Sequence, residues 1–312
     1  MRLFVIYLIT IKAICASPSI SSDTEMMQLK AKASPTPIVL WHGMGDTCCI
    51  SFSLGYVKYF LQKHIPGVYV HSLRMGNNSI EDFESGYFMN PNKQVEYVCK
   101  KLKKNPQLKN GFHAIGFSQG SQFLRAVVQR CGHTLPPIKS LISMGGQHQG
   151  IYGLPHCGAL QSSTCDYVRK MLNYAAYTKW MQESLVQATY WHDPLNETLY
   201  QKKSEFLSDI NNELNINYTY VNNLINLNKF VLVKFNNDSI VQPRETEWFG
   251  FYTPGQAEKV LTLQESRIYT EDRLGLREMD KAGKLVFLSV NGDHLRYTNE
   301  FFVNNIIKPY LS

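Results

Sequence analysis

The sequence predicts an α/β protein: a mostly parallel central sheet with helices on both faces and one helical insertion. Three observations point there. Short apolar runs recur along the chain, at Ile38–Trp41, Phe112–Gly116, Ile138–Met144, Phe230–Phe235 and Lys284–Val290. Segments with helical spacing alternate with them. The alternation stops over 151–228, which is rich in Tyr and Trp, and then resumes.

In chain order, Ile38–Trp41 reads as a buried parallel strand running into the loop His42-Gly43-Met44-Gly45. Tyr56–Gln62 reads as a helix ending before Pro66-Gly67, and Val68–His71 as a strand. Asn92–Leu102 places Val95, Val98 and Leu102 on one helical face. Strand 112–116 is followed by helix 121–130, and strand 138–144 comes next. The last elements are the strands 230–235 and 284–290 and a helix over 300–307. An insertion as long as 151–228 is expected to form a lid or binding subdomain on a single domain spanning 37–312.

Hydrophobic residues make up 44% of the 312 and charged residues 18%, which excludes a disordered or fibrous chain. The net charge of +7 is thinly spread, so nucleic acid is not the expected partner.

Residues 1–16 have the form of a secretory signal peptide: Arg2, an apolar stretch over 3–11, then small residues up to Ala16. That stretch is too short to span a bilayer, and no later run is long enough. Cleavage after Ala16 would remove Arg2, Lys12 and Cys15, taking the charge from +7 to +5 and leaving six of the seven cysteines. Residues 17–36 are small and polar, as in a mobile leader. Sequons at Asn77, Asn196, Asn217 and Asn237 fit the secretory route.

The chemistry centres on Gly116-Phe117-Ser118-Gln119-Gly120, a G-x-S-x-G motif between a strand and a helix. That context turns a weak pattern into a nucleophile elbow, and with it the α/β-hydrolase fold. The glycines permit the tight turn, and the helix start at Gln119 supplies N–H groups and a positive dipole end. A serine of ordinary acidity needs a base, and the base an orienting acid. In this fold the order is serine, acid, histidine, with the last two on loops after late strands. His294 follows the last strand and is the expected base; His133, His148, His156 and His192 come too early or fall in the insertion. Asp238 follows the preceding strand and is the expected acid. Asp293 adjoins His294, and Asp272 and Asp280 lack a clear preceding strand. The oxyanion donors expected are the N–H groups of Met44 and Gln119. His42 and His148 read as structural side chains, and no metal or other cofactor is expected.

These pieces form a familiar set. Trp41-His42-Gly43-Met44-Gly45-Asp46 with Cys48-Cys49, the elbow, Gly145-Gly146-Gln147-His148-Gln149-Gly150 and Asn291-Gly292-Asp293-His294 together resemble the lysosomal palmitoyl-protein thioesterases, the type-1 branch in particular. The resemblance runs from about residue 37 to the C-terminus. It implies an α/β-hydrolase that removes long fatty acyl groups from S-acylated cysteines of proteins or peptides during lysosomal degradation. It also implies transient contact with a membrane surface and a sorting receptor that reads N-glycans, with some secretion. Its triad falls on Ser118, Asp238 and His294, and its oxyanion donors on Met44 and Gln119. The leader 17–36 and the sequon at Asn196 depart from the family's pattern.

Such a substrate calls for an apolar groove. The candidates are Trp41, Leu172, Ala176, Leu185, Val186, Thr189, Trp191 and Ile240. Six cysteines allow 15 pairings. Cys157 and Cys165 bracket a short loop; Cys99 and Cys131 lie on helices flanking the elbow; Cys48 and Cys49 either bridge each other or bond separate partners. The resemblance favours three bridges, Cys48–Cys49, Cys99–Cys131 and Cys157–Cys165. Alternatives in the same fold are an acyl-CoA thioesterase or a lipase; a non-enzymatic acyl carrier is a third, against which the intact triad argues.

Overall fold

The computed structural model describes residues 34–153, 171 and 173–311. Residues 1–33 (the expected signal peptide and most of the expected leader), His156, Cys157, Cys165 and Leu172 lie outside them. Among the described residues no helix is long and apolar enough to cross a membrane.

The centre is a six-stranded sheet in the order β2-β1-β3-β4-β5-β8, parallel throughout. Its strands are β1 (Ile38–Trp41), β2 (Val70–Ser72), β3 (Phe112–Phe117), β4 (Ile138–Met144), β5 (Lys229–Phe235) and β8 (Leu285–Val290). A separate antiparallel pair, β6 (Phe251–Tyr252) and β7 (Val260–Leu261), sits between β5 and β8 in sequence. This is the α/β-hydrolase arrangement.

Side chains alternate across a strand, so an apolar run on a sheet covered on both faces feeds two cores. Ile38 and Leu40 of β1 pack with Leu54, Phe60 and Leu61 of α1 (Leu54–His64) and with Phe302 and Ile306 near the C-terminus. Val39 and Trp41 enter the other core, with Val95, Val98 and Leu102 of α3 (Pro91–Lys103) and Phe123 of α4 (Gln119–Cys131). Burying each large side chain contributes about 1.5–3 kcal/mol. The expected strand at 68–71 runs instead over Val70–Ser72, because Val68 lies before the register with β1 begins. The last helix starts at Asn299 and passes through a π turn at Val303–Ile307 before ending at Tyr310. Helix α2 (Ser79–Phe88), capped by Asn78, whose side chain accepts from Ile80 and Glu81 N–H, has no counterpart in the sequence expectation, and neither do the short helices Arg267–Thr270 and Leu276–Lys281.

Between the adjacent strands β4 and β5 the chain makes a long excursion. Its described part carries short helices at Lys179–Ser184, Glu197–Lys203, Leu207–Ile210 and Tyr218–Ile225. Arg125 of α4 anchors it from the core: its guanidinium donates to the carbonyls of Ile210 and His148 and to Asn211 Oδ1.

A buried histidine on β3 makes the core sensitive to acid. Burial, and then Lys139, pushes His113 down to about 4. The unfolded chain takes up this proton near pH 6.5, whereas the folded chain refuses it until about pH 4. Stability is therefore lost as pH falls through that window. His113→Leu is expected to be more acid-resistant than wild type by about 2 kcal/mol at pH 5 relative to pH 7. Thermal melts of both proteins across that range check it.

Candidate active site

The catalytic and oxyanion candidates singled out in the sequence gather at the carboxyl edge of the sheet, where open α/β sheets bind ligands. The register sets their level. Trp41 pairs with Gly116, Phe117 with Met144, Met144 with Val233 and Phe235 with Val290. The loops that follow these strands carry Met44, Ser118, Gly145, Asp238 and His294.

Ser118 has φ 52° and ψ −125°, a strained conformation for a residue with a side chain. The glycines around it leave no choice. A Cβ on Gly116 would lie 2.4 Å from Ser121 Cα, and one on Gly120 would lie 2.5 Å from the carbonyl oxygens of Trp41 and His42. The Ser118 N–H is tied to the Met144 carbonyl at 2.8 Å. Ser118 is thus held at the junction of β3 and α4, and the N–H of Gln119 belongs to the helix's first turn, which has no intrahelical acceptor. The Gln119 side chain is locked as well: it donates to the Gly86 carbonyl at 3.0 Å and accepts from Tyr190 at 3.3 Å.

The loop after β1 abuts this elbow, since a Cβ on Gly43 would lie 3.0 Å from Ser118 Cβ. Asp82, wholly buried, organises the loop. It meets His42 Nε2 at 3.1 Å and accepts from the N–H groups of Met75 at 2.7 Å and Cys48 at 2.8 Å. Burial alone would push His42 down, but the hydrogen bond and charge of Asp82 outweigh it and hold His42 above its ordinary value. Cys48 and Cys49 are bridged, and Cys99 of α3 is bridged to Cys131 of α4. The third expected pair lies outside the described residues.

Asp238 and His294 meet at 2.5 Å, Oδ2 to Nδ1. The other Asp238 oxygen accepts the N–H groups of Ile240 and Val241, both at 2.7 Å. Burial pushes the Asp238 carboxyl up, but its contacts with His294 and the adjoining Glu247 carboxyl outweigh this and hold it below the usual carboxylate range. The rival Asp293 is turned elsewhere and accepts from Ser239 and the His294 N–H. Asp272 caps the backbone of Arg277, and Asp280 accepts from Tyr269. His148 is wholly buried, bonded to Ser143 Oγ at 2.8 Å and stacked on Phe249. His192 is stacked between Tyr200 and Phe251.

Two cavities meet at Ser118. One, of about 290 Å³, is walled mainly by apolar side chains, among them Ile151, Ala176, Leu185, Tyr190, Trp191 and Val241. The other, of about 620 Å³, takes in Asp46, Phe52, Tyr56, His294 and Arg296. Ser118, Met44 and Ile240 border both. Of the groove candidates, Ala176, Leu185, Trp191 and Ile240 therefore line the apolar cavity. Trp41, Val186 and Thr189 do not. Trp41 is packed edge-on against Phe123, Val186 is buried in the core, and the Thr189 hydroxyl is turned to the Val186 carbonyl. The four sequon asparagines are exposed, and two of them, Asn196 and Asn217, cap helices.

Two residues of the site, Asp82 and Glu247, were not legible beforehand. Glu247 is wholly buried and bonded to the Phe235 N–H at 2.7 Å; its carboxyl, that of Asp238 and the His294 ring lie within 4.8 Å of one another. Its only sequence signal is an acid between Thr246 and Trp248-Phe249.

Comparison with known proteins gives one answer. The family model of palmitoyl protein thioesterase matches residues 37–294. Palmitoyl-protein thioesterase 1 of Caenorhabditis elegans is 49% identical over 274 residues, 88% of this chain and 91% of the worm protein. Palmitoyl-protein thioesterase 3 of Dictyostelium discoideum is 34% identical over 277 residues, covering 88% of this chain and 89% of its own. Lysosomal thioesterase PPT2 of Homo sapiens is 28% identical, covering 90% and 89%. With the elbow, the Asp238–His294 pair and the apolar cavity in place, the chain belongs to the palmitoyl protein thioesterase family, and it is a hydrolase.

Proposed function

We propose that the protein hydrolyses the thioester of long-chain S-acylated cysteines in proteins or peptides, through a Ser118–His294–Asp238 triad and an acyl-enzyme. The observation that carries this reading is the position of Ser118, between an apolar cavity and a wider, more polar one. The acyl chain occupies the first and the cysteine-bearing leaving group the second.

Ser118 Oγ attacks the thioester carbonyl and passes its proton to His294. The oxyanion is met by the N–H groups of Met44 and Gln119; loss of one such donor typically costs about 10²–10³ in rate. The thiolate, with a conjugate acid near pKa 8.5, departs readily and takes up the proton from His294, which is then free to activate the water that releases the fatty acid and restores Ser118. About 14 buried methylenes at about 0.8 kcal/mol each supply the gross binding energy, before ordering costs.

The deciding experiment compares turnover of an S-palmitoyl peptide, palmitoyl-CoA and a triacylglycerol by purified protein, with fluorophosphonate labelling as the check on Ser118. Preference for the peptide is expected. Preference for palmitoyl-CoA or triacylglycerol would assign the other hydrolase readings, and absence of labelling would point to an acyl carrier. Leu185→Trp, which fills the apolar cavity away from the triad, is expected to lower kcat/KM about tenfold for palmitoyl but not for butyryl thioesters.

The same reading places the mature chain in the lysosome, by way of a signal peptide ending at Ala16, N-glycans and a sorting receptor, with some secreted. It assigns catalysis to 37–312, with 151–228 as the acyl-binding insertion.

A further inference from the structure

Glu247 sits in the 3-10 turn Arg244–Trp248, which Trp248 pins to the sheet by donating to the carbonyls of Leu232 and Leu288. One carboxyl oxygen, Oε2, accepts the Phe235 N–H, and the other, Oε1, is buried and finds no donor among the described residues. Asp238 lies beside it, both oxygens engaged, with His294 beyond. Two ionised carboxyl groups cannot share such a site cheaply, and a buried oxygen with nothing to bond is costly too. One proton, on Glu247 Oε1 and directed at Asp238, removes both difficulties.

We propose that Glu247 is a positioning residue in its neutral form, its carboxyl donating a hydrogen bond to Asp238 and so weakening the hold of Asp238 on the proton of His294. This rests on the triad reading above. Burial, and next the adjoining Asp238, pushes Glu247 well above the carboxylate range. The other charged groups around it do not reverse this. Lys234 lies over the Trp248 ring at 4.3 Å, Arg244 donates to the Asn236 carbonyl and sits 3.9 Å from Glu245, and His148 is pushed well below its ordinary value by burial and then Arg125. The functional consequence concerns acid. A carboxylate already accepting a proton from one side grips an imidazolium less on the other, so His294 stays available as a base at lower pH.

A purely structural Glu247 would only seal the end of β5 through Phe235. The two roles separate in the pH profile of kcat/KM on an S-palmitoyl peptide. Glu247→Gln still accepts from Phe235 and donates to Asp238 but cannot ionise. It is expected to keep the acid limb at its wild-type position and to carry the alkaline limb upward. Glu247→Leu donates nothing, and its acid limb is expected to move up by about one pH unit. Infrared spectroscopy at neutral pH reads the carboxyl itself: wild type should show a protonated-carboxyl band that Glu247→Gln lacks. An unmoved acid limb in a folded Glu247→Leu, or no such band in wild type, overturns the proposal. Should Glu247→Leu fail to fold, the infrared comparison decides. Full turnover by Ser118→Ala would sink the triad reading instead, and the infrared band would still judge the carboxyl pair by itself.

Discussion

Ser118→Ala is expected to lower the hydrolysis of an S-palmitoyl peptide by about 10⁵–10⁶ in kcat and to abolish fluorophosphonate labelling. The size follows from what is lost. The hydroxyl is the only group removed, yet without it no acyl-enzyme forms, and the remaining oxyanion donors and binding cavity act on water alone. The fold should survive: the elbow is held by Gly116, Gly120 and the Ser118 N–H bond to Met144, none of which uses the hydroxyl. Single-turnover kinetics with a melting curve alongside measures both. Loss of activity with an unchanged melting temperature is the expected pair, and retained turnover would remove Ser118 from the mechanism.

The second large effect is at Asp238. Asp238→Asn is expected to cost about 10⁴ in kcat, the size seen when a triad acid is made neutral. Here the backbone decides which way the amide faces. Oδ1 accepts two N–H groups, from Ile240 and Val241, so the amide oxygen must stay there. The NH₂ then occupies the place of Oδ2 and donates toward His294 Nδ1, forcing the ring proton onto Nε2. In that tautomer His294 cannot take a proton from Ser118. Activity should recover partly at high pH, where the serine needs less help, and a pH–rate profile of the variant reads it. Near-wild-type activity at neutral pH would mean that another acid orients His294.

Much of this was legible in the sequence because it depends on local rules. An apolar run such as 38–41 running into a Gly-rich loop fits a strand buried on both faces, and G-x-S-x-G is compressed in part by contacts within five residues, those of Gly116 with Gly120 and Ser121. Asp238 and His294 could be placed because each follows a strand of the same sheet, so position along the chain translates into position along one edge. The groove was harder. Val186 and Thr189 lie near the site, yet whether such a side chain faces a cavity or a neighbour depends on the packing of an irregular excursion, while Trp41, at the end of β1, turns into the core against Phe123. Helix α2 was missed because Ser79–Phe88 mixes acids and aromatics, and its start is a side-chain cap by Asn78. Glu247 is the clearest case: its meaning comes from a carboxyl nine positions earlier in the chain, brought close by the turn between them.

The bridge between Cys99 and Cys131 has a topological consequence. It joins the end regions of α3 and α4, and the stretch of chain it closes, 32 residues in sequence separation, contains all of β3 and the Ser118 elbow. Closing a loop of that length restricts the unfolded chain by about 3–4 kcal/mol. It also means that a protease cutting once between Cys99 and Cys131 yields no separate fragments. The nucleophile-bearing half stays tethered to the rest, and the nicked molecule can re-form the same sheet without having to find a second chain.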